Sequence, residues 1–309
     1  MSYVEQDLKL NYDDVLLKPK RSTLTSRASV DLNRTITFRH SPKTFTGVPI
    51  MAANMDGVGT FAMAKVLQKF NCLTVIKKHY TLDDWKEAIG SGVSLNNIAV
   101  CTGANMIHDP NAEDYYNIKK ILEQWPDINY ICIDVANGYQ EAFSNFVARV
   151  RKEYPDKVII AGNVITPEMT EQLIIRGADI VKCGIGPGSV CTTRTMTGVG
   201  YPQVSGIMEC ADAAHGIGGH IIADGGCNSS GDIVKAFAAG ADFVMIGGLF
   251  AGHDECNSKY VFEDDNPEPV GMEFYGMASK TAMNKHGHPN REYRGEEGKT
   301  VMTKYNGPV

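Results

Sequence analysis

The sequence predicts an α/β fold closed as a (β/α)8 barrel of the TIM type, and three observations predict it. Eight short, β-branched runs are nearly continuous in apolar residues, amphipathic helical stretches separate most of them, and polar or glycine-rich segments follow them. Runs apolar on both faces belong to strands covered on both sides, as in a parallel sheet. Eight alternating βα units either close into a barrel or stay open as a doubly wound sheet. No Gly-x-Gly-x-x-Gly follows the first run, which removes the best support for an open dinucleotide-binding sheet.

In chain order the strand-like runs are Val48–Ala52, Leu73–Ile76, Ile98–Cys101, Tyr130–Ile133, Val158–Ala161, Ile180–Cys183, Ile221–Ala223 and Phe243–Ile246. The helical stretches are Thr60–Phe70, Asn117–Gln124, Ala142–Glu153, Pro167–Arg176, Gly206–His215 and Gly231–Ala239. One domain is expected over 1–309, because barrels of this kind use about 250 residues as a single unit. Within it, 1–47 is expected to be an N-terminal extension across the barrel base. Residues 253–309 read as a long polar segment without apolar periodicity, expected to leave the eighth strand as a lid over the rim.

Thirty Lys and Arg against 36 Asp and Glu give a formal net charge of −6, so no basic field favours nucleic acid. No apolar run reaches the roughly 20 residues that span a bilayer, and the first residues carry no apolar signal core. The eight cysteines are scattered with no Cys-x-x-Cys pair. Free thiols in a reducing cytoplasm are therefore expected, rather than a disulfide scaffold or a zinc site.

Barrel active sites lie at the C-terminal ends of the strands. The segments there are Asn54-Met55-Asp56, Lys77-Lys78-His79, Asp134, Asn137-Gly138, Gly162-Asn163, Gly184 to Cys191, Asp224-Gly225-Gly226 and Gly247-Gly248. The most informative runs from Cys183 to Arg194 after the sixth strand. Its glycines and proline specify an irregular backbone, able to encircle a monovalent cation with carbonyls while presenting the Cys191 thiol. An isolated cysteine is more often an inert core filler. Its place at a strand end, with Arg194 near to favour the thiolate, points instead to a nucleophile. The glycines at 225, 226, 247 and 248 follow strands seven and eight, where barrels commonly hold phosphate on backbone amides. Asp224 just before them suits a ribose diol, so the set describes a nucleoside monophosphate across the mouth.

Several of these strings carry a resemblance. Asn11-Tyr-Asp-Asp-Val-Leu-Leu-Lys-Pro19, Ala53-Asn54-Met55-Asp56, Gly186-Pro-Gly-Ser-Val-Cys-Thr-Thr-Arg194, Ala223-Asp224-Gly225-Gly226 and Gly247-Gly248 resemble the IMP dehydrogenase and GMP reductase family. Lys78-His79-Tyr80, Asp134 to Tyr139, Tyr275 to Ser279, Thr281 to Lys285 and Glu296 to Thr300 resemble its reductase branch. The resemblance runs from the N-terminus to about Thr300. There is no room after the second strand for the pair of regulatory subdomains that the dehydrogenases usually carry.

The resemblance implies NADPH-dependent reductive deamination of GMP to IMP and ammonia, through a thioimidate on Cys191. It implies Thr193 and Glu297 as the acid that protonates the leaving amine. Substrate contacts would come from Asp224, Gly225, Gly226, Gly247, Gly248, Met277, Ala278, Ser279, Arg294, Glu296 and Gly298. Cofactor contacts would come from Ser26, Arg27, Lys78, Asp134, Val135, Ala136, Tyr293 and Arg294. Backbone carbonyls of Gly186, Gly188, Cys191 and Arg194 would hold potassium, and a homotetramer is implied. Where family members usually have Ser-Ser, Ala278-Ser279 stands. Members also usually run several tens of residues past the Glu-Gly-Lys-Thr stretch, and that part normally closes the cation and cofactor sites, sometimes from a neighbouring subunit. Two alternatives remain open from the residues: oxidation of IMP by the same cysteine, and a non-catalytic barrel that only binds purine nucleotides.

Overall fold

Eight parallel strands close on themselves in chain order in the computed structural model, which describes residues 4–104, 113–263, 267–286 and 295–309. Ahead of them, β1 (Arg34–Thr37) and β2 (Thr44–Gly47) pair as an antiparallel hairpin. The barrel strands are β3 (Ile50–Ala52), β4 (Leu73–Val75), β5 (Ile98–Thr102), β6 (Tyr130–Asp134), β7 (Val158–Val164), β8 (Ile180–Cys183), β9 (His220–Asp224) and β10 (Phe243–Ile246). Closure is made by β10 against β3, with Val244 opposite Ile50. The helices between them are α1 (Phe61–Leu67), α2 (Leu82–Gly90), α3 (Glu113–Gln124), α4 (Glu141–Glu153), α5 (Pro167–Ile175), α6 (Thr193–Thr197), α7 (Gln203–Gly216) and α8 (Ser230–Ala238).

The continuous apolar runs are explained by two cores meeting at each strand. Alternate residues such as Met51, Val75, Tyr130, Val158, Ile160, Ile180, Ile222 and Phe243 pack together inside the barrel. Their neighbours Val100, Ile131, Ile159, Val181, Ile221 and Val244 pack outward under the helices. The hairpin seals the lower end. Phe38 meets Tyr130 edge-on with centroids 6.4 Å apart, and Phe45 meets Phe243 at 5.1 Å.

All eight expected strands are present. Helices α2 and α6 were not anticipated; α2 carries Leu82, Trp85, Ala88 and Ile89 at helical spacing, and Thr81 with Asp84 forms a capping box at its start. The segment after β10 also holds more order than its polar composition foretells. It builds a three-stranded antiparallel sheet from β11 (Tyr260–Val261), β12 (Gly271–Tyr275) and β13 (Thr300–Lys304), followed after β12 by α9 (Lys280–His286). Met272, Phe274 and Tyr275 are buried, so the short apolar run in β12 anchors this sheet.

Candidate functional site

A cavity of about 650 Å³ opens at the C-terminal ends of the barrel strands. That volume lies within the range of small-molecule sites. Its wall includes Asn54, Lys78, Asp134, Lys182, Gly186, Cys191, Thr193, Asp224, Gly247, Met277 and Glu297. The strands thus deliver their polar ends to one place, as the sequence leads one to expect of a barrel.

The thiol loop joins β8 to α6. Gly186 has φ +76°, and a Cβ there would lie 2.6 Å from Arg194 Cγ, so glycine is required on both counts. Cys191 is the one partly exposed cysteine of the eight; the other seven are buried. Its Sγ donates to Thr193 Oγ1 at 3.3 Å, and that hydroxyl donates to Glu297 Oε2 at 2.6 Å. Thiol, hydroxyl and carboxyl form one chain.

The backbone explains how a glutamate 106 positions after the cysteine arrives there. Thr192 N donates to Glu297 O at 2.9 Å, Lys299 N donates to Val190 O at 2.9 Å, and Cys191 pairs with Gly298 as an antiparallel bridge. The strand-like piece leading into β13 is thereby zipped onto the thiol loop. Gly298 suits this crowding, since a Cβ on it would stand 2.9 Å from Ser279 N.

The second part of the mouth lies after β9 and β10. Gly225 and Gly226 have φ of +88° and +85°, a consecutive left-handed pair that turns the backbone around Pro187 of the thiol loop. A Cβ on Gly248 would lie 3.1 Å from Ser189 Oγ, which places that hydroxyl against the 247–248 turn. Asp224 accepts from Asn163 Nδ2 at 2.8 Å.

The topmost layer of inward-facing residues, which lines the cavity above the apolar interior, is charged. Lys182, 2% exposed, donates to Asp134 Oδ1 at 2.6 Å and lies 3.4 Å from Asp224 Oδ2. Asn54 Nδ2 donates to the other Asp134 oxygen at 2.8 Å. Burial alone would push the Asp134 carboxyl up, but the Lys182 ammonium and the Asn54 amide hold it below the ordinary carboxylate range. Burial would likewise depress Lys182, and the two carboxylates outweigh it and hold the ammonium well above its usual value.

A third contact set fastens the late segment to the rim. Buried Asp56 Oδ2 accepts from Tyr275 Oη at 2.9 Å and pairs with His286 Nε2 at 2.5 Å. The His79 and His286 rings stack with centroids 3.5 Å apart, and burial lowers His79 to about 4.

Some expected residues stand elsewhere. Ser26 and Arg27 are exposed on the N-terminal segment, where Ser26 Oγ accepts from Ala28 N at 3.2 Å. Among the described residues, neither stands on the cavity wall. Ser279 is buried and its hydroxyl caps α9 by accepting from Ala282 N at 3.2 Å, so it turns inward to the helix. Glu296 pairs with Lys280 at 3.2 Å outside the cavity wall. The Arg194 guanidinium is spent on the Ile185 and Tyr201 carbonyls, at 3.3 and 2.5 Å. Tyr293 and Arg294 lie outside the described residues. Lys78, Asp134, Val135, Ala136, Met277 and Ala278 line the cavity. Lys78 there is paired with Asp114 at 2.6 Å.

Lys182 was not singled out from the sequence. Its signal was present: a lysine inside an otherwise apolar strand, two residues after inward-facing Ile180 and so on the same side. Asp56 with Tyr275 and His286 had no such signal, because their partnership spans more than 200 residues.

Comparison with known proteins agrees with the geometry. The IMP dehydrogenase / GMP reductase domain family matches residues 9–309. The chain is 56% identical to GMP reductase 1 of Homo sapiens, over 100% of this chain and 87% of that protein. It is 55% identical to the GMP reductase of Enterobacter sp. (strain 638), over 99% of this chain and 86% of that one. With GMP reductase of Photobacterium profundum the identity is 54% over 99% and 86%. A match across nearly every described residue of barrel, thiol loop and closing strand places this chain in the IMP dehydrogenase / GMP reductase family.

Proposed function

We propose that this chain catalyses the NADPH-dependent reductive deamination of GMP to IMP and ammonia. The observation that carries the reading is the Cys191–Thr193–Glu297 chain, joined at 3.3 and 2.6 Å across the mouth of the barrel. The names of the relatives support the same reaction.

In this reading Cys191 Sγ adds to C2 of the guanine, an amidine-like electrophilic carbon, and the thiol proton passes through Thr193 to Glu297. The C2–N bond then breaks and ammonia leaves, which requires a proton on the departing nitrogen. Thr193 hands that proton on from Glu297, the roles its hydroxyl suits because it bridges thiol and carboxyl. NADPH, bound along Lys78, Asp134, Val135 and Ala136, would supply a hydride to C2. Cys191 leaves as thiolate and IMP is released. Asp224 would take the ribose hydroxyls, and the amides of the 225–226 and 247–248 turns the phosphate.

Potassium fits the thiol loop on the chemistry of its donors. Among the described residues no amide donates to the carbonyls of Gly186 or Cys191, while Gly188 O accepts only from Cys191 N at 3.0 Å. Hard oxygen donors of this kind suit a hard cation, which would brace the loop that carries the thiol. Arg194 O is a weaker member of the set, since it already accepts from Gly198 N at 3.1 Å.

The test is NADPH oxidation with GMP, with stoichiometric ammonia release and a GMP-derived adduct on Cys191 detected by mass spectrometry. Oxidation of IMP with NAD and no ammonia would make it a dehydrogenase. GMP binding without NADPH oxidation would make it a binding module.

A further inference from the structure

We propose that Lys182 is a positioning residue whose single ammonium keeps Asp134 and Asp224 both available as hydrogen-bond acceptors, and so couples the cofactor side of the mouth to the substrate side. This rests on the reading above, in which Asp224 faces the GMP ribose and Asp134 faces NADPH.

Geometry is the first support. Strand alternation turns residues 180, 182, 222, 224 and 134 into the barrel, and Lys182 lies at 2.6 Å from one carboxylate and 3.4 Å from the other. Each carboxylate also receives one asparagine, Asn54 on Asp134 at 2.8 Å and Asn163 on Asp224 at 2.8 Å. Each carboxylate has about four acceptor sites, so capacity remains on both for ligand hydroxyls. The trio sits on the cavity wall, where a ligand would cover it.

Charge is the second. Two carboxylates this close in a shielded place resist joint ionisation unless a cation stands between them. Among the described residues, the other charged group acting on Asp134 is Lys78, already engaged with Asp114 at 2.6 Å. Cys132, Cys183, Cys227 and Tyr12 also surround the trio. All are pushed above their ordinary values, Cys132 first by its contact with Cys101 and the others by burial, so none supplies charge near neutrality. The task falls to Lys182. A protonated carboxyl would offer a donor where the ribose diol needs an acceptor.

The test is Lys182→Met, with GMP and NADPH affinities measured by calorimetry from pH 7 to 9, above the range where the nucleotide phosphate titrates. Wild-type affinities should be nearly flat with pH. In the variant, GMP affinity should fall by roughly tenfold at pH 7 and recover as pH rises. Lys182→Met/Asp134→Asn removes the repulsion as well as the cation, and should restore GMP affinity while NADPH affinity stays low. Should the single variant not fold, the double variant carries the test, since it leaves no uncompensated charge pair. A pH-independent loss in the single variant, or an equal loss of both ligands in the double, overturns the proposal. Wild-type protein that binds GMP but never oxidises NADPH would count against the reaction and leave this coupling measurable.

Discussion

Buried charge occurs at both ends of the barrel, and the two places differ in how much hydrogen-bonding capacity is spent. At the base, Asp179 accepts from Arg151 Nη2 at 2.5 Å, Ile159 N at 2.9 Å and His40 N at 2.9 Å. Arg151 in turn donates to the carbonyls of Gly177, Tyr154, Pro155 and Lys157. That cluster fills three of the roughly four acceptor sites of a fully buried carboxylate from within the fold. At the mouth, Asp134 and Asp224 hold acceptor capacity in reserve on the cavity wall, and Cys191 stands partly exposed with its hydroxyl and carboxyl partners. A cluster so filled stabilises; one with reserve is shaped for something that arrives.

The sharpest way to break this contrast is Cys191→Ala. Turnover should fall by at least about 10⁴-fold, as for loss of a covalent nucleophile, with GMP affinity and the urea midpoint nearly unchanged. Retained turnover would sink the covalent scheme. Asp179→Ala should do the converse. It leaves Arg151 buried without its partner and should cost roughly 3–5 kcal/mol of unfolding free energy by denaturant titration. The folded fraction should keep its kcat, and a kcat deficit there would show that the base is not merely structural.

Glu297→Gln keeps the shape and removes the proton, so the deamination step should slow by roughly 10²-fold. Hydride exchange between IMP and the cofactor should be affected less; equal losses in both steps would remove Glu297 from the acid role. The smallest effect is expected at a second base cluster. His220 is flanked by Asp242 at 3.0 Å and donates from Nε2 to Thr37 O at 2.8 Å. Burial would lower this imidazole, but Asp242 and the Thr37 carbonyl outweigh it and raise it. A raised folded value means the stabilisation is full below the unfolded pKa of about 6.5 and is lost as pH rises through the folded value. His220→Gln should therefore cost about 1 kcal/mol near pH 5.5 and progressively less above neutrality, by denaturant titration at each pH. A constant cost across pH would show packing, not charge, at work.

Legibility followed the range of the interactions. The barrel strands announced themselves because each is buried on both faces, leaving an unbroken apolar run. Helix α2 was equally local, with its Thr81–Asp84 box and its Trp85 and Ala88 face, and could have been read from the same period. The sheet of β11 to β13 could not. Its two-residue β11 and its largely polar β13 carry too little pattern, and pairing with buried Met272 and Phe274 supplies the order. At the site, Cys191 and the glycine turns were visible as composition at strand ends. Lys182 was overlooked because a lone lysine inside an apolar run reads as noise until alternation places it inward.

By itself, the chain's pattern of apolar runs and punctuating glycines determined the barrel, the mouth at its strand ends and the thiol loop, since these depend on neighbours a few residues apart. Tertiary structure alone decided that Glu297 lies against Thr193, that Lys182 stands between two carboxylates, and that Ser279 faces a helix instead of the cavity. Those outcomes hang on strand closure and on backbone pairing between residues 191 and 298. No local rule encodes where distant segments meet, because the free energy that joins them exists only once the barrel between them has formed.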